Sequence, residues 1–545
     1  MFAHILVVII VAIAITALAE RRNVQPALLV AMVGLGASFI PGIPRLELAP
    51  EIILGVFLPP MLFSAASDFS FSSFAKRFGS IVNLGVFMVF ATTSLVGIVA
   101  TILVPGLGPV GAIVLGAVLA PPDAVAAIAI GRKAGLPAAV MTVLKGESLI
   151  NDAAALTLFT VAVAAVAGTH AFIASTPLYF AYAAIVGIIV GMIIGHVAQL
   201  ARGKLTNPSL ATVISVVVPF AAYLLAEELH ASGVLAVVAA GFALGHHSTQ
   251  SGYAERIQER NFWRTIDTLL ETFVFAYIGL QLRFVIVDAD AAGYDIWELL
   301  AASAAIFLAT TLIRFAWVFG TAVFGRWRHR RITARMAQFE ARAPDRRGRR
   351  YPAPQLPLSW KENLVVAWTG MRGVVTLAAA AGIPVLTVSG EAVPGRNAIL
   401  AIAFFVTIAT LVIQGLSLPL LIRSLKLDDT RDKSFIAEQQ ALAQQLCDDA
   451  DKQVVAAHLA SEMDPENRKI AEFVAKRMAT KESETTSQFN PEASFWLGTV
   501  LLEARRAKLI EARDARQLDD TVLRDTLEQM DIEQAFMHRM SKPTA

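Results

Sequence analysis

Charge is scarce in this chain. Asp, Glu, Lys and Arg make up 17% of its 545 residues, against about 25% in an ordinary soluble domain. Hydrophobic residues make up 56%, and the mean hydropathy is +0.60. That balance excludes an intrinsically disordered chain and a water-soluble globule of this size. Cysteine is nearly missing. Cys447 stands alone, which excludes an intrachain disulfide and a disulfide-stapled scaffold. An excess of either sign of charge is lacking as well. With 46 basic and 44 acidic residues the formal net charge is +2, so the composition supports no nucleic-acid partner. No nucleotide-binding motif and no cofactor motif is present. What the chain does have is a series of long apolar runs, the mark of a polytopic membrane protein.

These runs alternate with short polar loops up to about Ser424. From Lys426 onward the sequence turns rich in Glu, Gln, Asp, Arg and Ala, and no later run approaches the roughly 20 apolar residues that a spanning helix needs. A transmembrane domain over 1–424 and a cytosolic helical domain over 425–545 are therefore expected. The spans read as about 2–19, 25–40, 50–66, 80–104, 109–130, 136–167, 176–200, 209–230, 232–247, 265–287, 295–325, 362–388 and 397–424, about thirteen in all. They lack the alternation of barrel strands, so the fold class is all-α. Basic residues fall after alternate spans: Arg21 and Arg22, Lys76 and Arg77, Arg132 and Lys133, Arg202 and Lys204, then Arg256, Arg260 and Arg264, and a dense loop from Arg326 to Lys361. Loops 105–108, 168–175 and 288–294 carry almost none. By the positive-inside rule the N-terminus lies outside and the tail in the cytoplasm of a cell-membrane protein. Ala17-Leu18-Ala19 resembles a signal-peptidase site, but two Arg follow the first run and none precedes it, the charge order of a retained helix.

A charge in the hydrocarbon core costs at least ~2.5–3.5 kcal/mol, so residues that bear this cost are the functional candidates. The richest segment is 145–152, at the start of the sixth span. Ser148 and Asp152 are four apart and share a helix face, and Glu147 and Asn151 do likewise one position over. A carboxylate, a hydroxyl and an amide oxygen then meet at one point, donors that suit a hard cation such as Na⁺. A capping cluster is the structural alternative. The fifth span is interrupted by Pro121 and Pro122, which remove two backbone donors, with Asp123 at the amide end of the second half-helix. The freed carbonyl of Pro122 can bind a cation; a proline kink capped by Asp is the plainer reading. The twelfth span carries Arg372 between Gly370 and Gly373, with Glu147 as its natural partner and an interfacial, snorkelling Arg as the alternative. Arg314, deep in the eleventh span, reads as the neutraliser of a helix terminus. Taking the seventh span as a connector, the fifth and twelfth are the fifth members of two inverted halves. Paired discontinuous helices at matching places point to a secondary transporter.

At these residues the chain resembles the Na⁺/H⁺ exchanger (NhaP/NHE-like) branch of the monovalent cation:proton antiporters. The resemblance rests on Phe57-Leu58-Pro59-Pro60, on Pro-Asp-Ala-Val-Ala at 122–126, on Gly-Glu-Ser and Asn-Asp within 146–152, and on Gly-Met-Arg-Gly-Val-Val at 370–375. It implies an inverted-repeat fold with two crossing unwound helices and a homodimer formed through a scaffold domain. It implies that Asp152 is the ion-binding and protonatable carboxylate and Ser148 a side-chain ligand of Na⁺, with Asn151 orienting the site. Glu147 and Arg372 would form a buried ion pair, and Asp123 would balance the helix ends. Many relatives have a Thr where this chain has Pro122, which keeps only a carbonyl ligand. Many also carry an acid shortly after Leu-Pro-Pro, where this chain has Ser64, an oxygen without a charge.

The expected activity is exchange of Na⁺, and of Li⁺, for H⁺. One carboxylate beside a neutral Asn151 implies a 1:1 electroneutral exchange by competition at Asp152. A K⁺/H⁺ antiporter differs only in ion choice. A passive channel lacks a filter loop, and an enzyme lacks a nucleophile with a base at this depth. No cofactor is expected beyond the transported Na⁺ and H⁺. In the tail, 495–535 reads as a helical hairpin with Phe495, Trp496, Leu497, Leu501 and Leu502 on its apolar face and breaks near 464–467 and 489–491. Regulatory contacts are open to it, and the basic loop 326–361 is suited to anionic headgroups.

Overall fold

A backbone in lipid must satisfy its own polar groups, and helices do so within one segment. The computed structural model describes residues 2–22, 25–41, 52–104, 106–168, 175–205, 207–342, 357–427, 430–460, 491–515 and 517–541, with a few residues between these stretches. Among the described residues there is no strand, only an isolated bridge between Leu386 and Ala392. The order is α1 (Phe2–Arg21), α2 (Pro26–Ala37), α3 (Ile53–Ser67) and α4 (Phe71–Leu103). Then come α5 (Gly108–Leu119), α6 (Ala124–Ala134), α7 (Ala138–Ala167), α8 (Thr176–Arg202), α9 (Pro208–Glu228) and α10 (Gly233–His247). These are followed by α11 (Tyr253–Leu280), α12 (Leu282–Ala291), α13 (Ile296–Arg342), α14 (Trp360–Trp368), α15 (Val374–Ala381) and α16 (Arg396–Leu425). The tail adds α17 (Thr430–Ala460), α18 (Pro491–Asp514) and α19 (Asp520–Ser541).

Against the thirteen expected spans, seven described helices are long and apolar enough to cross a bilayer by length and composition, and four shorter apolar helices accompany them. Two of the expected spans are split. The fifth breaks between α5 and α6 at 120–123, and the twelfth between α14 and α15 at 369–373. Pro121 and Pro122 deny the first its donors, and Gly370 and Gly373 weaken the second. Two boundaries move because hydropathy marks lipid and not the end of a helix. α13 runs on to Arg342, since no Gly or Pro interrupts 326–342 and Arg is a good helix former. The rest of that basic loop, 343–356, lies outside the described residues. α11 starts at Tyr253, well before its apolar part.

The chain forms two compact units. The first comprises Met1–Ala201, Ile214–Leu244 and Trp263–Leu427. Its helices approach through small residues. Gly187, Gly191 and Gly195 of α8 repeat every four residues and face Ser232, just before α10, and Ala236, Ala240 and Ala243 within it, where any added Cβ would strike the neighbouring chain. Gly116 of α5 lies against the carbonyl of Thr93 on α4 in the same way. Large apolar side chains turn outward, among them Ile102 at 73% exposure and Leu312 at 66%, a surface that belongs in lipid.

The second unit comprises Arg202–Val213, Gly245–Phe262 and Asp428–Ala545. α18 and α19 form the hairpin read from the sequence, with Leu497, Leu501 and Leu502 buried. Its core gathers Ala443, Cys447, Leu502, Leu509, Leu523 and Leu527. Of the breaks expected near 464–467 and 489–491, only Pro491 is among the described residues, and it opens α18. Asp531 is fully buried and accepts from Arg506 at 2.8 Å and from Arg256 Nε at 2.7 Å. Arg202 holds both Glu255 and Glu259 at 2.6 Å.

Two outcomes test this packing. Gly191→Leu should cost about 1–3 kcal/mol through overpacking, read as a lowered thermal midpoint in detergent. Gly36→Leu, at a position with open space around its Cβ, should leave the midpoint unchanged. Burial pushes the Cys447 thiol up to about 11, so it stays protonated at neutral pH. Maleimide labelling of the folded protein at pH 7.5 should be at least ~10-fold slower than labelling after denaturation in detergent.

Candidate functional site

α7 passes through the middle of the first unit and carries the polar residues of the sixth span inward. Glu147 is 2% exposed, Asn151 0% and Asp152 7%; Ser148 is half-buried. The helix runs unbroken from Pro137 to the left-handed Gly168, so all four sit in its interior and not in a cap. Ser148 lies one turn before Asp152 on the same face.

The two interrupted segments meet beside them. The backbone amide of Asp123 donates to the carbonyl of Met371 at 2.6 Å, joining 120–123 to 369–373 directly. Asn151 Nδ2 donates to the carbonyl of Pro122 at 2.7 Å and ties that crossing to α7. The other amide atom, Asn151 Oδ1, is buried with no hydrogen-bond partner among the described residues. Arg372 is 2% exposed and reaches backbone carbonyls, donating from Nε to Leu119 at 3.0 Å and from Nη1 to Gly370. Its own amide donates to Thr410 Oγ1 at 2.9 Å, in a π-helical turn of α16 (Thr410–Gln414). Arg372 therefore stands at the carbonyl end of α5, where a cation is favoured. Asp123 sits just before α6, and its carboxylate fills the place a Cβ would take on Gly373, the residue before α15. It thus lies by two amide ends, where an anion is favoured. Gly373 is required by this close approach. The charge of Asp123 also acts on Asp152 and on Glu271 of α11.

The expected pairing of Glu147 with Arg372 is corrected by the structure. Glu147 is held by Arg314 of α13 in a two-pronged contact, Nη1 to Oε1 at 2.5 Å and Nη2 to Oε2 at 2.9 Å, with both side chains buried. Arg314 Nε also donates to the carbonyl of Val366, near the end of α14, at 3.0 Å, so its expected role at a helix terminus stands beside the new one. The reason is geometric. Arg372 is occupied by the carbonyls that the interruption leaves open, and Arg314 arrives from another helix with its planar fork free to match a carboxylate.

Ser64 is buried on α3, which packs against α7, and its hydroxyl donates to Asp267 Oδ2 of α11 at 2.5 Å. Asp267, Glu271 and Thr410 are the polar residues that the sequence reading missed. Asp267 and Glu271 are four apart at the start of an apolar run, the spacing that had singled out Ser148 and Asp152. Among the described residues no three His, Cys, Asp or Glu side chains come together as a metal centre needs. The site instead offers single oxygen donors of different kinds: the carboxylate of Asp152, the amide of Asn151, the hydroxyl of Ser148 and the carbonyl of Pro122.

Two broken helices that cross, with buried charges at their ends, are the arrangement of a secondary membrane transporter. The profile described as sodium/hydrogen exchanger, transmembrane, matches residues 6–424, and the chain belongs to that family. It is 30% identical to a protein of Mycobacterium bovis described as an uncharacterized Na⁺/H⁺ exchanger, over 98% of this chain and 96% of that protein. It is 29% identical to the Na⁺/H⁺ antiporter ApNhaP of Aphanothece halophytica, over 77% of this chain and 74% of the relative. In structure it is similar to the sodium proton antiporter MjNhaP1 of Methanocaldococcus jannaschii, with a TM-score of 0.56 at 18% identity, covering 78% of this chain and 98% of the other.

Removing one member of the buried pair should be severe. Glu147→Ala or Arg314→Ala leaves the partner charged and alone, at about 3–5 kcal/mol, and should lower the thermal midpoint in detergent sharply. The double variant Glu147→Gln with Arg314→Met should be milder than either single change, because neither charge is then left behind.

Proposed function

We propose that this protein exchanges Na⁺, and Li⁺ with it, for H⁺ across the cell membrane, one cation per proton and without net charge movement. The single observation that carries the reading is Asp152. It is a buried carboxylate one turn from Ser148 and next to an Asn151 that is bonded to the interrupted helix. Removed from bulk water, Asp152 holds a proton or a cation but not both, and that competition couples the two fluxes. Ser148 and the Pro122 carbonyl complete the shell of a bound cation with neutral oxygen. Because Asn151 carries no charge, exchange at Asp152 leaves the charge of the site constant. Family membership and the names of ApNhaP and MjNhaP1 support cation/proton exchange. In this reading the N-terminus is outside, residues 425–545 are cytoplasmic, and 1–424 form a homodimer through a scaffold domain. Alternating access moves the core helices against that scaffold around the occupied site. The protein acts as a transporter and not an enzyme, with no resident cofactor.

In proteoliposomes with a trapped pH dye, Asp152→Asn should abolish Na⁺-driven proton movement while the variant still folds and elutes as the parent does. Robust exchange by that variant rejects Asp152 as the coupling group. Asn151→Asp adds a titratable charge, and its exchange should respond to an imposed membrane potential where the parent's does not.

A further inference from the structure

α3 and α11 meet along one seam that joins aromatic contacts and a polar one. Phe63 packs on Trp263 with ring centres 5.1 Å apart, and Phe57 stacks on Phe273 at 5.3 Å. Between these aromatic pairs Ser64 donates to Asp267 at 2.5 Å. A hydroxyl has one hydrogen and two lone pairs. Spending the hydrogen on Asp267 fixes Ser64 as an oxygen acceptor toward everything else. Asp267 keeps its second carboxylate oxygen, Oδ1, buried with no hydrogen-bond partner among the described residues. One turn further along α11 stands Glu271, which interacts electrostatically with Asp267 and with Asp123 at the helix crossing. A buried carboxylate oxygen without a hydrogen-bond partner is costly and does nothing for packing that Leu or Met would not do better. A nearby cation offsets that cost.

We infer that Asp267 is a positioning residue for the cation site: it holds the Ser64 hydroxyl as an acceptor on α3, the helix that packs against α7, and supplies a negative charge from α11. This rests on the reading of Asp152 as the exchange carboxylate. Asp267 acts through Ser64 and through its field, and it does not replace Asp152. A carboxylate held next to a neutral ligand oxygen raises the local cation concentration and tightens cation binding without adding a second exchangeable site.

The test is Na⁺-driven proton exchange in proteoliposomes of the full chain, with apparent KM for Na⁺ and maximal rate measured at one fixed pH. Asp267→Asn should raise KM about 10-fold, about 1.4 kcal/mol, with the maximal rate within about twofold of the parent. Asp267→Glu should recover most of the lost affinity. The relocated charge is the sharper test: Ser64→Glu combined with Asp267→Asn should return KM to within about threefold of the parent, because the acid then sits on the facing helix. A purely structural Ser64–Asp267 staple moves the thermal midpoint and leaves KM alone. A folded Asp267→Asn variant with parental KM therefore overturns the inference, as does a relocation variant no better than Asp267→Asn. Should Asp267→Asn fail to fold, Ser64→Ala decides, since it keeps every charge and removes only the ligand oxygen; a parental KM there overturns the inference too. The two readings fail separately. Exchange surviving Asp152→Asn removes the proposed function, whereas loss of exchange in Asp152→Asn with parental KM in Asp267→Asn removes only the role of Asp267.

Discussion

An interrupted helix inside a membrane has no water to satisfy its broken ends, and the rest of the site answers to that constraint. At 120–123 and 369–373 the chain leaves carbonyls and amides unpaired by any helix. Some are joined to each other, as Asp123 N is to Met371 O. Others are met by buried charges of the matching sign, with Arg372 on the carbonyls of Leu119 and Gly370 and Asp123 before two amide ends. Each charge would be prohibitively placed alone, and each broken end would be costly alone; together they offset one another. The crossing is therefore a fixed frame, and Pro122 keeps a carbonyl turned toward α7 because the frame holds it there.

That frame explains which parts of the site were legible in the sequence. The interruptions were, because proline and glycine act on the backbone at their own positions. So was the shared helix face of Ser148 and Asp152 on an unbroken α7, because helical spacing is local. The partner of Glu147 was not. Arg314 and Arg372 are both single arginines in apolar runs, and nothing in the spacing says which one is already committed to backbone carbonyls. Sequence can count buried charges, but their pairing is set by helices that meet from 167 residues away. Asp267 was passed over for a related reason. It lies where α11 enters its apolar stretch, so it reads as a boundary residue until Ser64, 203 residues earlier, is seen to donate to it.

The basic residues that fixed the expected topology have a second use. Arg202 and Arg256 belong to the second unit and are paired there, the first with Glu255 and Glu259, the second with Asp531. Arg260 likewise meets Glu528 at 2.9 Å. The charge pattern that orients a chain during insertion is thus spent, after folding, on fixing helical packing. Asp531 shows how far this goes: a fully buried carboxylate is tolerable because guanidinium groups from two other helices close on it. No rule of loop charge identifies that acid, which lies 275 residues from Arg256.

Asn151 and Pro122 form a matched pair, and the match bears on the charge count of the proposed exchange. Pro122 presents a carbonyl, which only accepts. Asn151 meets it with Nδ2, which only donates. A carboxylate at 151 would set acceptor against acceptor unless it kept a proton to donate. An acid there is therefore compatible with the present crossing only in its neutral form, and it would gain a charge only by releasing Pro122. The neutral amide is consequently more than a missing charge beside Asp152. It is the residue that lets a proline, with no hydroxyl and no amide hydrogen of its own, stand in the interrupted helix and still be held against α7. In the proposed exchange, the constant charge of the site and the anchoring of the broken helix rest on the same amide.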